Sequence, residues 1–262
     1  MTDDPMGVPP EDGPVRLTTK QRLVGVERVC WVIGLVLIGS GLFHLAVFAV
    51  DGGPWQGPVS WRKPITFGLS FGLTLLTVVW LSAYLPLSGR RRGWLLGIFA
   101  VDCCAEVAGI TLQAWRHVPS HLNRETGFDS AVSTVLAVGG GVLVVVLGLL
   151  VLAAFRARTA PSMRLALRAG FVFLLIGLLS GAAMIARGVI TVNGGDQQRG
   201  YEVAGFLKPV HALGLHGVLV LPALAWLLSR TGWDETRRTR TVAVAVAVYG
   251  AAVAAAAAYP LV

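Results

Sequence analysis

The residues able to do chemistry in this chain are few and unevenly placed. All five histidines, His44, His117, His121, His211 and His216, stand near the ends of apolar stretches. Imidazole is the commonest metal ligand, so a bound metal or haem is one chemistry they could perform, with His121, His211 and His216 as the candidate ligands. Spacing guides this reading only loosely. His117 and His121 are four apart, which would put two ligands on one helical face, yet Pro119 between them disfavours helix at Val118. His211 and His216 are five apart, about 140° around an ideal helix, and would need a bulge or kink to share an ion.

A second set of residues is acidic. Asp102, Glu106, Gln113 and His117, together with Gly109, fall within about 80° of one another on a helix turning 100° per residue. They form one narrow polar stripe on an otherwise apolar segment. An acid at membrane depth is costly unless paired, protonated or hydrated, and it normally faces the interior of a bundle. The stripe reads as a proton or cation path, or as the floor of a ligand site. Two acids bonded to neighbouring hydroxyls, or salt-bridged, would be the purely structural alternative.

The elements that must position these residues are membrane spans. Of 262 residues 55% are hydrophobic and only 14% charged, and the charges lie between apolar runs rather than inside them. A span needs about 20 mostly apolar residues. Seven segments qualify: about 30–50, 64–86, 94–115, 131–155, 165–190, 208–229 and 241–262. The expected fold is therefore all-α, a polytopic membrane bundle of about seven helices over 29–262. Residues 1–28, with Asp3, Asp4, Glu11, Asp12 and four prolines and no periodicity, read as a disordered cytoplasmic tail. Gly68 with Gly72, and Gly177 with Gly181, have the four-residue spacing that lets helix backbones approach closely.

Charge sets the expected orientation. One set of alternate loops carries 15 Arg and Lys residues and the other 7, so the first should be cytoplasmic. That puts the N-terminus inside, the C-terminus outside, and all five histidines at or near the outer side. Trp61, Lys63, Gln113, Asn123, Asn193 and Asp196 fall on the same side, which predicts a polar cavity opening outward, with the acidic stripe extending it downward. Nineteen of the 22 basic residues are Arg, which with abundant Ala, Gly and Val suggests a GC-rich bacterial genome and the cytoplasmic membrane as location.

Other classes are excluded or undecided. The net charge of +8 is spread over short loops without the aromatic interleaving of a nucleic-acid site. There is no P-loop, no dinucleotide fingerprint, no nucleophile elbow and no Lys in the last span to hold retinal. Cys30, Cys103 and Cys104 lie in apolar stretches and read as packing residues. Whether the protein is an enzyme stays open.

Three stretches carry a resemblance. Trp61-Arg62-Lys63-Pro64-Ile65-Thr66-Phe67, Gln113-Ala114-Trp115-Arg116 running into Ser120-His121-Leu122-Asn123, and His211-Ala212-Leu213-Gly214-Leu215-His216 followed by Leu221-Pro222 resemble a family of uncharacterised bacterial multi-pass membrane proteins. Its motifs are W-x-K-P-x-K-F, Q-A-x-R-G-x-x-S-H-F-N and H-F-x-G-x-H-x-x-Q-x-L-P. Thr66, His117, Leu122, Ala212 and Leu219 depart from them. The resemblance implies Lys63, Gln113, Arg116, His121, Asn123, His211 and His216 as site residues, and weakens any site built on His117. It implies no activity.

Three functions fit these readings. One is a membrane protein holding a metal, haem or small ligand in the outward-facing histidine pocket, with Glu106 behind it. Another is a proton-coupled transporter of a small solute, with Asp102 and Glu106 carrying protons and Lys63 and Arg116 drawing an anion. The third is an enzyme acting on a lipid or quinone at the outer leaflet through a groove between the third and sixth spans.

Overall fold

Each apolar run forms a helix, because a helix satisfies its backbone N–H and C=O groups internally where no water can. The run 64–86 leaves the helix after Ser82, and 259–262 of the last run lie outside the described residues. A computed structural model describes residues 25–258. Its helices are α1 (Gly25–Asp51), α2 (Arg62–Ser82), α3 (Gly89–Trp115), α4 (Gly127–Phe155), α5 (Pro161–Asn193), α6 (Gln197–Val203), α7 (Lys208–Ser229) and α8 (Glu235–Ala258). All but α6 are long and apolar enough to cross a membrane. The chain is thus a multi-pass, all-α membrane protein. Residues 1–24 of the expected tail lie outside the described residues, and 25–28 form the first turn of α1.

Several helices begin before their apolar stretch does, since a helix start is set by its cap rather than by hydropathy. The Ser88 hydroxyl accepts from Arg91 N at 3.4 Å, so Arg90, Arg91 and Arg92 lie in the first turns of α3. Thr126 caps α4 by accepting from Asp129 N at 3.1 Å. Pro161 occupies the first position of α5, where its missing N–H costs nothing. The short α6 is capped by Asp196, which accepts from Arg199 N at 2.9 Å.

Two glycine-lined seams bring helices into backbone contact. A methyl group on Gly72 would lie 2.6 Å from Gly34 O, and one on Gly68 would lie 2.7 Å from Gly41 N, so α1 packs directly on α2. Gly214 meets Gly177 Cα at 2.7 Å in the same sense, joining α7 to α5. The expected close approaches at Gly68, Gly72 and Gly177 are therefore present. Gly181 instead makes room for the His211 ring. The interior is filled by Phe99, Phe171, Leu75, Leu147, Leu167 and Leu221. Val32 and Val36 of α1, Val138 and Val145 of α4, and Val244 and Val248 of α8 are exposed, as a surface against lipid requires.

The α1–α2, α3–α4 and α5–α7 connections share one end of the bundle, which holds the histidines. The opposite end is braced by arginine. There Arg92 pairs with Glu27 at 3.0 Å, Arg168 donates to Phe155 O at 2.8 Å, and Glu235 accepts from Ser162 N at 2.7 Å, capping α5 from α8.

Candidate functional site

The loop 116–126 builds most of the histidine end. α3 stops because Val118 N donates to Gln113 O at 3.1 Å and His117 N to Ala114 O at 3.0 Å, the paired bonds of a Schellman cap. Such a cap needs a left-handed residue, and His117 supplies it at φ 55° where glycine would be unstrained. His117 thus leaves the helical stripe expected to include it. Its ring lies 6.2 Å from that of Trp61.

His44 is committed to structure. The Trp115 indole, which can only donate, gives its proton to His44 Nε2 at 3.1 Å, so His44 Nδ1 carries the hydrogen and donates to Ser40 O at 2.7 Å. Both nitrogens of this buried ring are used. Trp61 stacks edge-on against Trp115 with centroids 5.0 Å apart, closing an aromatic cluster.

Gln113, Arg116 and Asp129 form the polar lock between α3 and α4. Gln113 Nε2 donates to Asp129 Oδ1 at 2.9 Å, Arg116 donates to both Gln113 Oε1 and Asp129 Oδ1, and Thr126 Oγ1 donates to Asp129 Oδ2 at 2.6 Å. Arg116 also lies over the Phe128 ring at 4.8 Å. With its donors and acceptors so matched, this cluster reads as a clasp. Sequence reasoning missed Asp129, although Thr126-Gly-Phe-Asp129 has the spacing of a capping box and would have placed both the helix start and the acid.

His121 stands apart from the lock. Leu122, next to it, is held at φ 63° by Gln197 Nε2 donating to Leu122 O at 2.7 Å and by packing of its side chain on Gly188 of α5. A left-handed leucine is strained, and such strain gathers where geometry is over-determined. Asn123 is fully buried, accepting from Glu125 N at 3.0 Å while its Nδ2 finds no partner among the described residues. His121 lies 2.9 Å from Ser120 Oγ through Nδ1 and 6.2 Å from the Phe67 ring. Burial, and then the nearby Lys63 charge, push the His121 imidazole down to about 3, so it is neutral at ordinary pH.

His121 also lines a groove of about 320 Å³ between α4 and α5. Arg124, Ser130, Ser133 and Thr134 make the rest of its polar end. Ala137, Val138, Ile185, Val189 and Val192 make its apolar wall. Val138 is exposed, so the groove opens sideways. The opening is between the fourth and fifth spans, and not between the third and sixth, where the lipid- or quinone-enzyme reading needs one. Ser133 Oγ supports the polar end by donating to Asn123 O and accepting from Asn123 N, each at 3.1 Å.

Cations gather behind His121. Arg62 and Lys63 start α2 and Lys208 starts α7, at helix ends whose dipoles already repel positive charge. The three feel one another's charge. Among the described residues the ion pairs are Arg92–Glu27, Arg116–Asp129 and Arg238–Glu235, none of which neutralises Arg62, Lys63, Arg124 or Lys208.

The three proposed metal ligands are not brought together. His211 Nδ1 bonds Gly177 O at 2.7 Å across the α5–α7 seam, and His216 Nδ1 bonds Ala212 O at 2.6 Å within its own helix. His216 borders a void of about 10 Å³ with Ser70, Thr74 and Thr77 of α2, room for about one water. Among the described residues no three His, Cys, Asp or Glu side chains gather as a metal ion would require. The single polar cavity expected to join Lys63, Gln113, Asn123, His211 and His216 is likewise divided, because Gln113 turns to Asp129, His211 to Gly177 and His216 to its own helix.

The acidic stripe faces α4 as a seam. A methyl group on Gly139 would lie 2.7 Å from Glu106 Oε1 and 2.8 Å from Asp102 Oδ1, so both carboxyls point into the notch that glycine leaves. One turn on, Gly109 abuts Leu136 at 2.9 Å, and that leucine separates the acids from Gln113. The stripe therefore does not run as an open path to the histidine end.

The chain matches no protein-family model, no curated protein and no solved structure.

Proposed function

We propose that this protein binds a small amphipathic anion, taken sideways from the bilayer into the α4–α5 groove. The carrying observation is the polarity of that 320 Å³ groove: His121, Arg124, Ser130, Ser133 and Thr134 at one end, and Ala137, Val138, Ile185, Val189 and Val192 along the wall. A volume of this size, mostly apolar with a few convergent polar groups, suits one small ligand. The head group meets the Arg124 guanidinium, the His121 imidazole and the Ser130 hydroxyl. Lys63, Arg62 and Lys208, without carboxylate partners among the described residues, add attraction for negative charge. The tail lies on the aliphatic wall and reaches the bilayer through the open side.

The positive-inside count supports a histidine end that faces outward from a bacterial cytoplasmic membrane, and on this reading the ligand enters from the outer leaflet. The resemblance to the uncharacterised multi-pass family agrees with a site at this end, since Lys63, His121 and Asn123 all belong to its motifs. On this reading Gln113 and Arg116 serve as the clasp that holds the loop, and His211 fixes the α5–α7 seam.

Decanoate and decanol, equal in tail and different in charge, separate the parts of the proposal. The purified protein in detergent should bind decanoate saturably and decanol more weakly. Arg124→Gln should reduce decanoate affinity about tenfold, the worth of one charge-assisted bond, and leave decanol unchanged. Ala137→Trp, which fills the groove, should abolish both. Equal decanoate binding by the wild type and Ala137→Trp would contradict the proposal.

A further inference from the structure

Asp102 and Glu106 are not used by the groove, which lies across α4 from them, and they pose a separate electrostatic problem. Asp102 is 8% exposed and Glu106 3%, both near the middle of the 27-residue α3. Counting from Trp115 at 1.5 Å per residue, Glu106 lies about 14 Å from the end of its helix. Their oxygens Oδ1 and Oε1 converge on Gly139 and stand within about 5.5 Å of each other, the two separations laid end to end. Asp102 Oδ2 is buried with no hydrogen-bond partner among the described residues.

Among the described residues no compensating charge faces them: Arg28 and Asp51 lie at the ends of α1, Arg62 and Lys63 at the start of α2, and Arg90, Arg91 and Arg92 in the first turns of α3. On α4 the segment 130–155 has no titratable residue, and on α2 none occurs in 64–82. Asp129, the nearest acid of α4, is held by Arg116 at the end of the bundle. On α1, Glu27 is taken by Arg92, His44 by Trp115 and Ser40, and Cys30 donates to Leu96 O at 3.6 Å. Beside the acids on α3 itself lie the thiols of Cys103 and Cys104. Two ionised carboxylates at this separation, both buried, would repel each other and each bear a desolvation cost.

We infer that Asp102 and Glu106 together form a proton-binding site at mid-membrane depth, in which at least one carboxyl is protonated at neutral pH and the Gly139 notch gives the pair room to share the proton. The occupant is a proton rather than a metal ion, because two side chains and one glycine offer too few oxygens to replace a hydration shell. The site is independent of the proposed anion groove.

Infrared difference spectroscopy reads the protonation directly. The other described acids are exposed or ion-paired, so a protonated carboxyl at neutral pH can arise among them only from this pair. Wild-type protein at pH 7 should show a protonated-carboxyl carbonyl band that shifts in D₂O and disappears as the pH is raised. Glu106→Gln and Asp102→Asn should each alter the band and the double variant should remove it. Because the alkaline titration needs only wild-type protein, the inference remains testable if a variant fails to fold. A wild-type spectrum without the band would overturn it. So would thermal stability that rises with added Na⁺ in place of the band, since that would assign the pair to a metal cation.

Discussion

His121 owes its chemistry to its surroundings rather than to the motif that carries it. The strained Leu122 fixes the loop beside it, Phe67 and the groove wall shield it, and Lys63 disfavours a second positive charge nearby. The folded protein therefore keeps His121 neutral down to about pH 3, whereas an unfolded histidine takes up a proton near 6.5. Between those values the unfolded state binds the extra proton, so folding stability must fall as the pH drops through that window. Thermal unfolding in detergent should show this acid slope, and His121→Gln should flatten it by the share of one proton. An unchanged slope would mean that His121 is solvated in the folded state. The remaining histidines show why side-chain type alone misled the metal reading: His44 and His216 each bond the carbonyl four residues back in their own helix, and His211 bonds a carbonyl across a seam. The position of each histidine near a helix end was legible in the sequence, but the direction each ring takes around its helix was not.

At the scale of elements, α3 and α4 are joined by a seam whose parts are unequal in legibility. The helical wheel placed Asp102, Glu106, Gly109 and Gln113 on one face, and all four do meet α4, at Gly139, Leu136 and Asp129. The same wheel included His117, where α3 has already ended in a cap that demands a left-handed residue. No hydropathy pattern could report that, and α6, with its polar Gln-Gln-Arg-Gly-Tyr-Glu-Val, was equally invisible to it. The cap makes its own prediction. His117→Gly removes the steric cost of the left-handed conformation and should stabilise the protein by about 1 kcal/mol, read as a higher thermal midpoint. A lower midpoint would show that the His117 ring contact with Trp61 outweighs the strain.

As a whole molecule the bundle is divided by function from end to end. Arginine, with its pairs and carbonyl contacts, braces one end, and the other carries an aromatic cluster, a polar clasp and a groove that opens between α4 and α5. The seven spans were visible in the sequence because burying apolar length in lipid leaves few alternatives to helix. The groove was not visible, because it arises from the separation of two helices that the pattern of each treats alike. Photolabelling with a decanoate analogue carrying a diazirine at the tail tests the central claim most directly, since it reports where the ligand lies. The account predicts labelling of the α4 segment 134–138 and the α5 segment 185–192, competed by excess decanoate and lost in Ala137→Trp. Labelling spread over the outer faces of α1 and α8, without competition, would show that the anion only coats the lipid-facing surface and would contradict the account.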